Sequence, residues 1–261
     1  MLILLPPSEG KSTPRRGKPL DLGALSFPAL TEAREQALDA LVGVATHDPE
    51  AAAKALGLGP TQLEEVRRNA GLRTAPTTRA DAIYTGVLYD ALGLATLDAA
   101  ARGRATRWLA VQSSLFGLVT PGDRIPAYRL SGGTNLPGLG VVSAHWRGVL
   151  DPVVREAAGT GTGLVIDLRS TTYAGFWRPA PDLARRVATV RVLQQVGDRR
   201  TVVSHFNKAT KGRLVRALLE RGATPRSPAA LADLIRDLGW KVELGTPGRP
   251  GTQLDVVVEE L

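Results

Sequence analysis

The chain has 261 residues, 43% of them hydrophobic, and a formal net charge of +8 from 33 Lys and Arg against 25 Asp and Glu. This length and apolar content can form a substantial buried core. The chain has no cysteine, which excludes a disulfide framework, a thiolate nucleophile and a cysteine-based zinc site. The basic, arginine-rich balance is compatible with a nucleic-acid partner and also with the codon bias of a GC-rich genome.

The first apolar run, residues 2–5, is closed by Pro6 and Pro7 and predicts a buried strand that stops abruptly. A polar loop follows at the strand's carboxyl end and contains Glu9 and Lys11, in a position where α/β proteins often carry function. This N-terminal run is too short for a signal peptide and lacks a basic leader. No stretch approaches the roughly 20 apolar residues of a membrane helix. We expect a soluble, cytoplasmic protein without a membrane partner.

A pair of short helices is predicted at residues 49–56 and 60–69, after a longer helix for which Thr31 is the expected N-cap. The connection, Leu56-Gly57-Leu58-Gly59-Pro60, has the hydrophobic-Gly-hydrophobic-Gly pattern of a helix–hairpin–helix, in which glycine amides approach DNA phosphates. A helix C-cap glycine followed by an N-terminal proline explains the same residues as ordinary turn chemistry. The acidic pair Glu64-Glu65 counts against a DNA-facing helix.

The remaining elements alternate without regular βαβ spacing, and no internal repeat is present. The pattern predicts an α+β fold with a mixed β-sheet and surrounding helices, and the length of the chain does not decide between one large domain and two small ones. The predicted helices span about residues 84–92, 145–158, 204–219 and 228–238, and the predicted strands cover 108–113, 164–168, 187–196, 201–204, 240–244 and 254–259.

Residues 204–213 (Ser-His-Phe-Asn-Lys-Ala-Thr-Lys-Gly-Arg) follow a β-type segment and open a helix. Lys208, Lys211 and Arg213 are therefore expected near unpaired backbone N–H groups at the positive end of the helix dipole, a suitable anion site. The alternative is a solvated cationic helix face, which repulsion between Lys208 and Lys211 disfavours.

Polar groups follow apolar strands in four places, and the carboxyl ends of neighbouring strands can meet at one edge of a sheet. The cleft predicted there would contain two carboxylates, Glu9 and Asp167, and several cations. A lysine crowded by cations loses proton affinity and becomes a usable base or nucleophile. Asp167 has the alternative role of a cap or an Arg169 partner, and His205 that of a hydrogen-bonding spacer. The four groups are Ser8, Glu9 and Lys11; Ser113 and Ser114; Asp167, Arg169, Ser170 and Tyr173; and His205, Asn207, Lys208 and Lys211.

Several motifs, in order along the chain, resemble the YaaA family of peroxide stress proteins. The resemblance covers residues 1 to about 219. The matching segments are Met1-Leu-Ile-Leu, Tyr84-Thr85-Gly86, Ser114-Leu-Phe-Gly-Leu-Val-x-Pro, Ala127-Tyr128-Arg129-Leu130, the Trp146 segment, Val165-Ile-Asp-Leu-x-Ser with Tyr173, and Ser204-His-Phe-x-Lys-x-x-Lys-Gly-Arg. The first loop differs from the Ser-Pro-Ala-Lys version of enterobacterial members, which indicates a separate branch.

The resemblance implies a single α+β domain over residues 1–261, with a basic cleft and a helix–hairpin–helix-like element at about residues 48–70. It also implies DNA binding and protection against oxidative damage by limiting unincorporated iron. The expected partner is double-stranded DNA, and a nucleotide or nucleobase ligand is the alternative partner. The residues expected to contact DNA or phosphate are Lys11, Gly57, Gly59, Tyr128, Arg129, Ser170, Tyr173, His205, Lys208, Lys211 and Arg213.

A second hypothesis is an enzyme that acts on a nucleotide or nucleobase in the same cleft. Lys208 or Lys211 would hold phosphate or act as nucleophile, and Glu9 or Asp167 would move protons. An iron-binding protein is the weakest hypothesis, because only scattered histidines (His47, His145 and His205) and carboxylates are available. Neither a metal site nor a cofactor is predicted.

Overall fold

A mixed β-sheet runs through the centre of the molecule in the computed structural model, which describes residues 1–159, 161, 163–197, 199–201 and 204–259. The strands are β1 (Leu2–Leu5), β2 (Thr78–Arg79), β3 (Leu109–Ser113), β4 (Gly117–Val119), β5 (Arg124–Ile125), β6 (Asn135–Leu136), β7 (Gly140–Val141), β8 (Val165–Asp167), β9 (Val187–Val196), β10 (Arg199–Thr201), β11 (Lys241–Gly248) and β12 (Gly251–Glu259). The order of the central sheet is β11-β12-β9-β8-β1-β3-β4, and β10 pairs with β9. The pairs β2-β5 and β6-β7 form two separate small sheets.

Helices cover the sheet, and four short 3₁₀ turns (Leu22–Ala24, Pro28–Leu30, Pro60–Gln62 and Leu94–Thr96) join the described elements. The α-helices are α1 (Thr31–His47), α2 (Pro49–Ala55), α3 (Leu63–Ala70), α4 (Ala80–Ile83), α5 (Val87–Leu92), α6 (Ala99–Trp108), α7 (Val142–Arg147), α8 (Leu150–Ala158), α9 (Thr171–Ala174), α10 (Pro181–Ala184), α11 (Ser204–Arg221) and α12 (Pro228–Asp237). None of the helices in the described part of the chain combines the length and apolarity that spanning a membrane requires.

The centre of the sheet is parallel. Strand β1 pairs in parallel with β3 on one side and β8 on the other, and β8 and β12 both pair in parallel with β9. The antiparallel strands β11 and β4 form the two ends. The carboxyl ends of β1, β3 and β8 therefore open onto the same edge of the sheet, where α/β proteins commonly bind ligands.

The central strands are apolar because both of their faces are covered. Every residue of β1 is buried, and β3 and β8 are also buried along their whole length. Such strands appear in a sequence as continuous apolar runs rather than as an alternation. Pro6 ends β1 because proline has no N–H to donate to a neighbouring strand. This is why residues 2–5 could be recognised from the sequence.

Helix α11 crosses the short helix α5 in close contact. A Cβ atom on Gly212 would lie 2.2 Å from the carbonyl oxygen of Leu88 and 2.9 Å from the Ala91 Cβ, so a side chain larger than hydrogen would push the helices apart. The contact fixes the position of Lys211, the neighbour of Gly212, relative to the carboxyl edge of the sheet.

The two short helices α2 and α3 and the turn between them, which we call the hairpin (about residues 48–70), lie outside the main core. A small separate cluster of buried residues, Ala45, Ala52, Ala53 and Val66, holds α2 and α3 against the end of α1. The large core cluster instead extends from β1 to β12 and includes residues from most of the other helices. The hairpin is therefore a peripheral unit with little apolar area of its own.

The α+β class with one mixed sheet is confirmed, and several boundaries differ from the prediction. The helix expected over residues 145–158 is two helices, α7 and α8, separated by Gly148 and Val149. Helix α6 was not predicted, and Thr31 is the first residue of α1 rather than its cap, a position that Leu30 takes. The strands predicted at residues 187–196 and 201–204 correspond to the antiparallel pair β9 and β10, but β10 covers Arg199–Thr201 and Ser204 begins α11.

Candidate functional site

Three loops meet at the carboxyl edge of the parallel strands. The loop after β1 reaches toward α5, since Ser8 Oγ accepts a hydrogen bond of 3.1 Å from the Thr85 backbone N–H. The loop after β8 carries Arg169, whose Nη1 donates to Gln112 Oε1 of β3 at 3.4 Å. The predicted convergence of the loops after β1, β3 and β8 is thus present. We call this region the carboxyl-edge site.

All four tyrosines of the chain gather there. The Tyr84 and Tyr128 hydroxyl oxygens lie 3.1 Å apart, and the Tyr128 hydroxyl is 2.8 Å from Ser113 Oγ. Tyr89 stacks on Tyr84 with ring centroids 5.5 Å apart, and its hydroxyl donates to the Pro6 carbonyl at 2.7 Å. Tyr173 lies alongside Gly132, where an added Cβ would be 3.2 Å from Tyr173 Cε1.

Burial keeps these phenols protonated. It raises the pKa of Tyr84 and Tyr89 well above the usual value and also raises the pKa of Tyr128 and Tyr173. The hydroxyls therefore remain hydrogen-bond donors at neutral pH. Tyr128 and Tyr173 were predicted as site residues from the sequence. Tyr84 and Tyr89 were not, because they lie in a segment that was predicted to be helical.

Lys11 lies over the tyrosine rings. Its Nζ is 4.4 Å from the centroid of the Tyr128 ring and 5.7 Å from that of Tyr84, within the range of cation–π attraction. The same Nζ donates to the Ser8 carbonyl at 2.7 Å and to the Glu9 carbonyl at 3.5 Å. Burial, with a smaller contribution from Arg129, lowers the pKa of Lys11 to about 8.

A second buried lysine reaches the same edge from α11. Lys211 is 8% exposed, and its Nζ donates to the Leu168 carbonyl at 2.9 Å, directly after β8. Burial lowers its pKa to about 8, and the nearby Asp167 opposes part of that change. Two lysines of lowered pKa therefore come from opposite ends of the sequence to one edge of the sheet.

Asp167 forms a buried ion pair with Arg169. The Arg169 guanidinium donates from Nη2 to Asp167 Oδ2 at 2.7 Å and from Nε to Oδ1 at 2.9 Å, and the two side chains are 1% and 9% exposed. Burial alone would raise the pKa of Asp167, but Arg169 outweighs it and holds that pKa below the usual value. The salt-bridge interpretation of Asp167, offered as an alternative from the sequence, is therefore present in the structure.

Asn207 presents a buried, unpartnered acceptor at the amino-terminal part of α11. Its Oδ1 is buried and has no hydrogen-bond partner among the residues that the structure describes. Asn207 lies one helical turn before Lys211, and residues four apart share a face of a helix. A hydrogen-bond donor from solvent or a ligand would satisfy this oxygen, because a buried acceptor left unpaired costs free energy.

The serines at the end of β3, Ser113 and Ser114, serve the structure rather than nucleophilic chemistry. Ser114 Oγ donates to the Leu130 carbonyl at 2.7 Å, and the Trp146 indole N–H donates to the Ser114 carbonyl at 2.7 Å. Ser113 Oγ accepts from the backbone N–H of Phe116 at 3.0 Å. These bonds hold the turn that places Tyr128.

The cations of α11 do not gather at its first turn as the sequence suggested. The helix begins at Ser204, so Lys208, Lys211 and Arg213 all lie beyond the unpaired N–H groups of that turn. Lys208 is exposed and Lys211 is buried. Arg213 faces a different groove, of about 380 Å³, which is also lined by Thr210, Gly239, Trp240, Lys241, Val257 and Val258.

Two further predicted residues have limited roles in the described site. Ser170 is exposed and precedes α9, where its carbonyl accepts from the Ala174 N–H at 2.8 Å. The side chain of His205 lies outside the described residues, as do residues 202 and 203 of the β-type segment before α11.

The hairpin turn between α2 and α3 has internal partners for its backbone donors. Gly57 N–H donates to the Lys54 carbonyl at 3.1 Å, Leu58 N–H to the Ala53 carbonyl at 2.9 Å, and Gly59 N–H to Gln62 Oε1 at 3.2 Å. Gly57 adopts φ +65°, the left-handed conformation of a C-cap glycine. A phosphate at this turn would therefore compete with the Gln62 side chain for the Gly59 amide.

The hairpin is joined to the carboxyl-edge site through Asn69. Asn69 Nδ2 donates to the Arg129 carbonyl at 2.7 Å, and its Oδ1 accepts from the Arg129 N–H at 2.9 Å. Arg68, the preceding residue, lies near enough to Lys11 to lower its pKa slightly. The end of α3 and the Arg129 segment thus form one surface next to Lys11. This junction leaves no pattern in the sequence, because Asn69 and Arg129 are far apart along the chain.

The fold and site together define an α+β protein with a central parallel sheet, tyrosines and two buried lysines at its carboxyl edge, and a peripheral helical hairpin. The chain matches the family model described as peroxide stress protein YaaA over residues 1–244, and it belongs to that family. It is 54% identical over 263 residues to a UPF0246 protein of Streptomyces coelicolor, and the alignment covers 100% of both chains. A UPF0246 protein of Corynebacterium efficiens is 42% identical over 258 residues, covering 98% of this chain and 100% of that protein. One from Shewanella loihica is 27% identical over 227 residues, or 84% of this chain and 86% of the relative.

Proposed function

We propose that this protein binds double-stranded DNA through its phosphate backbone and acts in the peroxide stress response by limiting iron-dependent oxidative damage. The proposed contact surface combines the hairpin of residues 48–70 with a basic cleft at the carboxyl-edge site. The family description supports the stress role. The DNA-binding role is supported by the arrangement of cations and by the overall charge of +8.

The observation that carries this proposal is the union of cations from two regions beside Lys11. Arg68 comes from the hairpin and Arg129 from the segment that Asn69 holds against it, and both act on the Lys11 ammonium. The Arg129 side chain makes no hydrogen bond or ion pair with the part of the chain that the structure describes. Glu65 pairs with Arg68 at 2.6 Å and offsets part of its charge. The repulsion that remains is therefore mainly between Lys11 and Arg129, and an anion such as a phosphate relieves it.

Lys208 extends the cationic surface toward α11. It is exposed, without a hydrogen bond to described residues, and lies one turn from Lys211. A phosphate at Lys208 and another at Lys11 would place a nucleic-acid backbone across the carboxyl-edge site. Backbone contacts of this kind position a duplex without reading its sequence, so we expect little base specificity.

The test is fluorescence-anisotropy binding to duplex, mismatched and single-stranded DNA over a salt series. Affinity should fall steeply with salt, because each neutralised phosphate contributes a slope of about −0.9 to log K against log salt concentration. Lys208→Ala and Arg129→Ala should each weaken binding and reduce the steepness of that slope by about 1. Arg226→Ala removes an equal charge just beyond the far end of α11 and is the matched control.

A flat salt response, or equal losses in the control and the test variants, would remove the electrostatic mechanism. Gly59→Ala separates the contribution of the hairpin. An added Cβ there meets no atom within 4 Å, so the fold should tolerate it, while a phosphate at the Gly59 amide would be crowded.

A second candidate is an enzyme that acts on a nucleotide or nucleobase in the same site. The lowered pKa of two lysines favours it, because a neutral amine is a base and a nucleophile at physiological pH. Asp167 is less suited to proton transfer than the sequence suggested, since Arg169 holds it ionised. Glu9, which is exposed in the loop beside Lys11, is the better proton carrier. Loss of turnover in Lys11→Arg with unchanged DNA affinity would support this candidate.

A further inference from the structure

We propose that the Lys11 side-chain amine forms a covalent imine with the ring-opened aldehyde of an abasic deoxyribose in bound DNA. The inference rests on the proposed DNA binding and adds to it a reaction, a nucleophile and a class of substrate. It is carried by the contacts of Lys11 with neutral backbone carbonyls, by the lack of an ion pair to its amine among the described residues, and by the proximity of Arg129.

The Lys11 amine has neutral rather than acidic hydrogen-bond partners. Lys11 Nζ donates to two backbone carbonyls, those of Ser8 and Glu9, and forms no ion pair within the described residues. A lysine with a structural role at such a site would usually be paired with a carboxylate, which stabilises its charged form. Here the charged form is disfavoured by burial and by Arg129, so the neutral amine becomes accessible near neutral pH.

Lys11, Lys211 and Lys208 differ in how accessible their amines are to a ligand. Lys11 is half-buried, in the loop directly after β1, and the rings of Tyr128 and Tyr84 lie on one side of its amine. Lys211 differs because it is 8% exposed and directed at the Leu168 carbonyl with Asp167 nearby. Lys208 is exposed, so water hydrates its ammonium group and stabilises the charged form. Lys11 alone among these three combines desolvation with access from outside.

The reactivity of a neutral amine limits the class of substrate. A neutral amine attacks a carbonyl carbon without a cofactor, and the carbonyls of intact bases are unreactive because they are amide-like. The ring-opened sugar at an abasic position presents an aldehyde at C1′. The phosphates on both sides of that sugar need cations beside the nucleophile. Arg129 lies close enough to Lys11 to lower its pKa, and Arg68, which is paired with Glu65, lies further along the same surface.

The step balances without an oxidant or a reductant. The Nζ lone pair forms a bond to C1′ while the carbonyl π electrons move to oxygen, which takes up a proton and gives a carbinolamine. Nitrogen then loses a proton, the hydroxyl leaves as water after protonation, and the C=N bond forms. Glu9, two residues from Lys11 and electrostatically coupled to it, is the group that carries the proton from nitrogen to the leaving oxygen.

The experiment is borohydride trapping with a duplex that contains one abasic position. Reduction of the imine gives a stable secondary amine, which appears as a protein–DNA band on a denaturing gel and is assigned by peptide mass mapping. The wild-type protein should be trapped at Lys11. Lys11→Arg should bind the duplex with similar affinity but lose trapping at least about 100-fold, because its guanidinium stays protonated. Lys18→Arg, at an exposed position, is the matched control and should be trapped as wild type.

The pH profile gives a second readout. Trapping by the wild-type protein should rise from pH 6 and level off above about pH 8, where the Lys11 amine is neutral. Glu9→Gln should slow trapping about 10-fold or more without changing affinity, since a positioned proton carrier contributes about 100-fold or somewhat less when exposed. Thermal melting of each variant verifies that it is folded.

Failure of this inference can be distinguished from failure of DNA binding. Binding of the abasic duplex without a trapped adduct, or an adduct mapped to a lysine other than Lys11, overturns the inference and leaves the proposed DNA binding intact. Absence of binding to any duplex overturns the proposed function. In that case, trapping with 2-deoxyribose 5-phosphate tests the amine alone, and an adduct at Lys11 would support its reactivity while no adduct would overturn it.

Discussion

The hairpin and the carboxyl-edge site both carry cations, but they arrange them in opposite ways. In the hairpin, Arg67 and Arg68 pair with Glu64 and Glu65 one turn earlier, at 3.1 and 2.6 Å. At the carboxyl edge, Lys11 and Lys211 donate to backbone carbonyls. The arginines of the hairpin are thus largely neutralised by its own glutamates. The two lysines of the edge donate to neutral carbonyls, so each either stays charged and can bind another anion or loses its charge by deprotonation. The number of basic residues alone does not identify the more reactive region.

The difference originates in burial. The exposed Arg67–Glu64 pair is screened by water and contributes about 0–1 kcal/mol, and the Arg68–Glu65 pair is still partly exposed, so both change little besides the net charge of the hairpin. At the carboxyl edge the two lysines are largely removed from water, and this desolvation lowers the pKa of both to about 8. Substitutions should therefore have larger effects at the edge than at the hairpin.

The largest effect is expected from Asp167→Asn. This change leaves the Arg169 guanidinium buried without its carboxylate, which should lower the free energy of unfolding by about 3–5 kcal/mol. The Asp167 pKa is lowered in the folded state, so its contribution is present above the unfolded pKa and is lost as pH falls through the folded value. Urea denaturation of both proteins at pH 7 and pH 3 measures the effect. An equal difference at the two pH values would contradict the assignment.

A smaller effect is expected from pH in the alkaline range. Lys11 and Lys211 have a folded pKa of about 8, below the usual lysine value of 10.5, so the unfolded chain binds more protons between these limits. The free energy of unfolding should therefore increase as pH rises from about 8 to 10.5, because the unfolded chain then loses the protons that the folded lysines have already lost. DNA affinity should change in the opposite direction, because the lysines lose charge. Anisotropy at pH 7 and pH 9 tests this, with Lys11→Arg as the variant that should resist the loss.

The third effect in order of size is expected from substitutions in the hairpin turn. Gly57→Ala places a β-carbon at φ +65°, which should cost about 1–2 kcal/mol although no atom lies within 4 Å of that carbon. Gly57→Asn should cost less, because asparagine tolerates the left-handed region. Hydrogen exchange of α2 and α3 measures the change. Destabilisation that spreads to the central sheet would show that the hairpin is not peripheral.

The smallest effect is expected from Arg67→Ala. Its guanidinium is 77% exposed and pairs with Glu64, so stability should change by no more than about 0.5 kcal/mol. DNA affinity should also fall less than in Arg129→Ala, because Arg67 already has a carboxylate partner. A loss as large as that of Arg129→Ala would reverse the comparison between the two regions.

Local sequence patterns predicted the parts of the molecule that depend on local forces. Residues 2–5 and 164–168 appeared as apolar runs because both faces of the central strands are covered, and the loops after them were expected to meet. The gathering of Tyr84 and Tyr89 around Lys11 was not predictable, since it depends on where α5 packs against the first loop. The split between α7 and α8 was missed because Gly148 in a helical pattern can be a tolerated residue or a break.

The position of Arg213 shows why spacing along a helix is a weaker guide than contact. Lys211 and Arg213 are close in sequence, but two residues rotate by about 200° around an α-helix of 3.6 residues per turn. One therefore faces the sheet edge and the other a groove beside Trp240. The resemblance to the family identified the segment, but the role of each cation depended on the packing of Gly212 against α5.

The parallel pairing of β1 with both β3 and β8 also has a kinetic consequence. Lys11 and Lys211 lie near opposite ends of the chain, and the strands that bring them to one edge are far apart in sequence. Contacts of such high sequence separation form slowly, since the entropy of closing long loops is lost before they are stabilised. During synthesis the nascent chain would therefore carry the hairpin long before it has an assembled lysine pair.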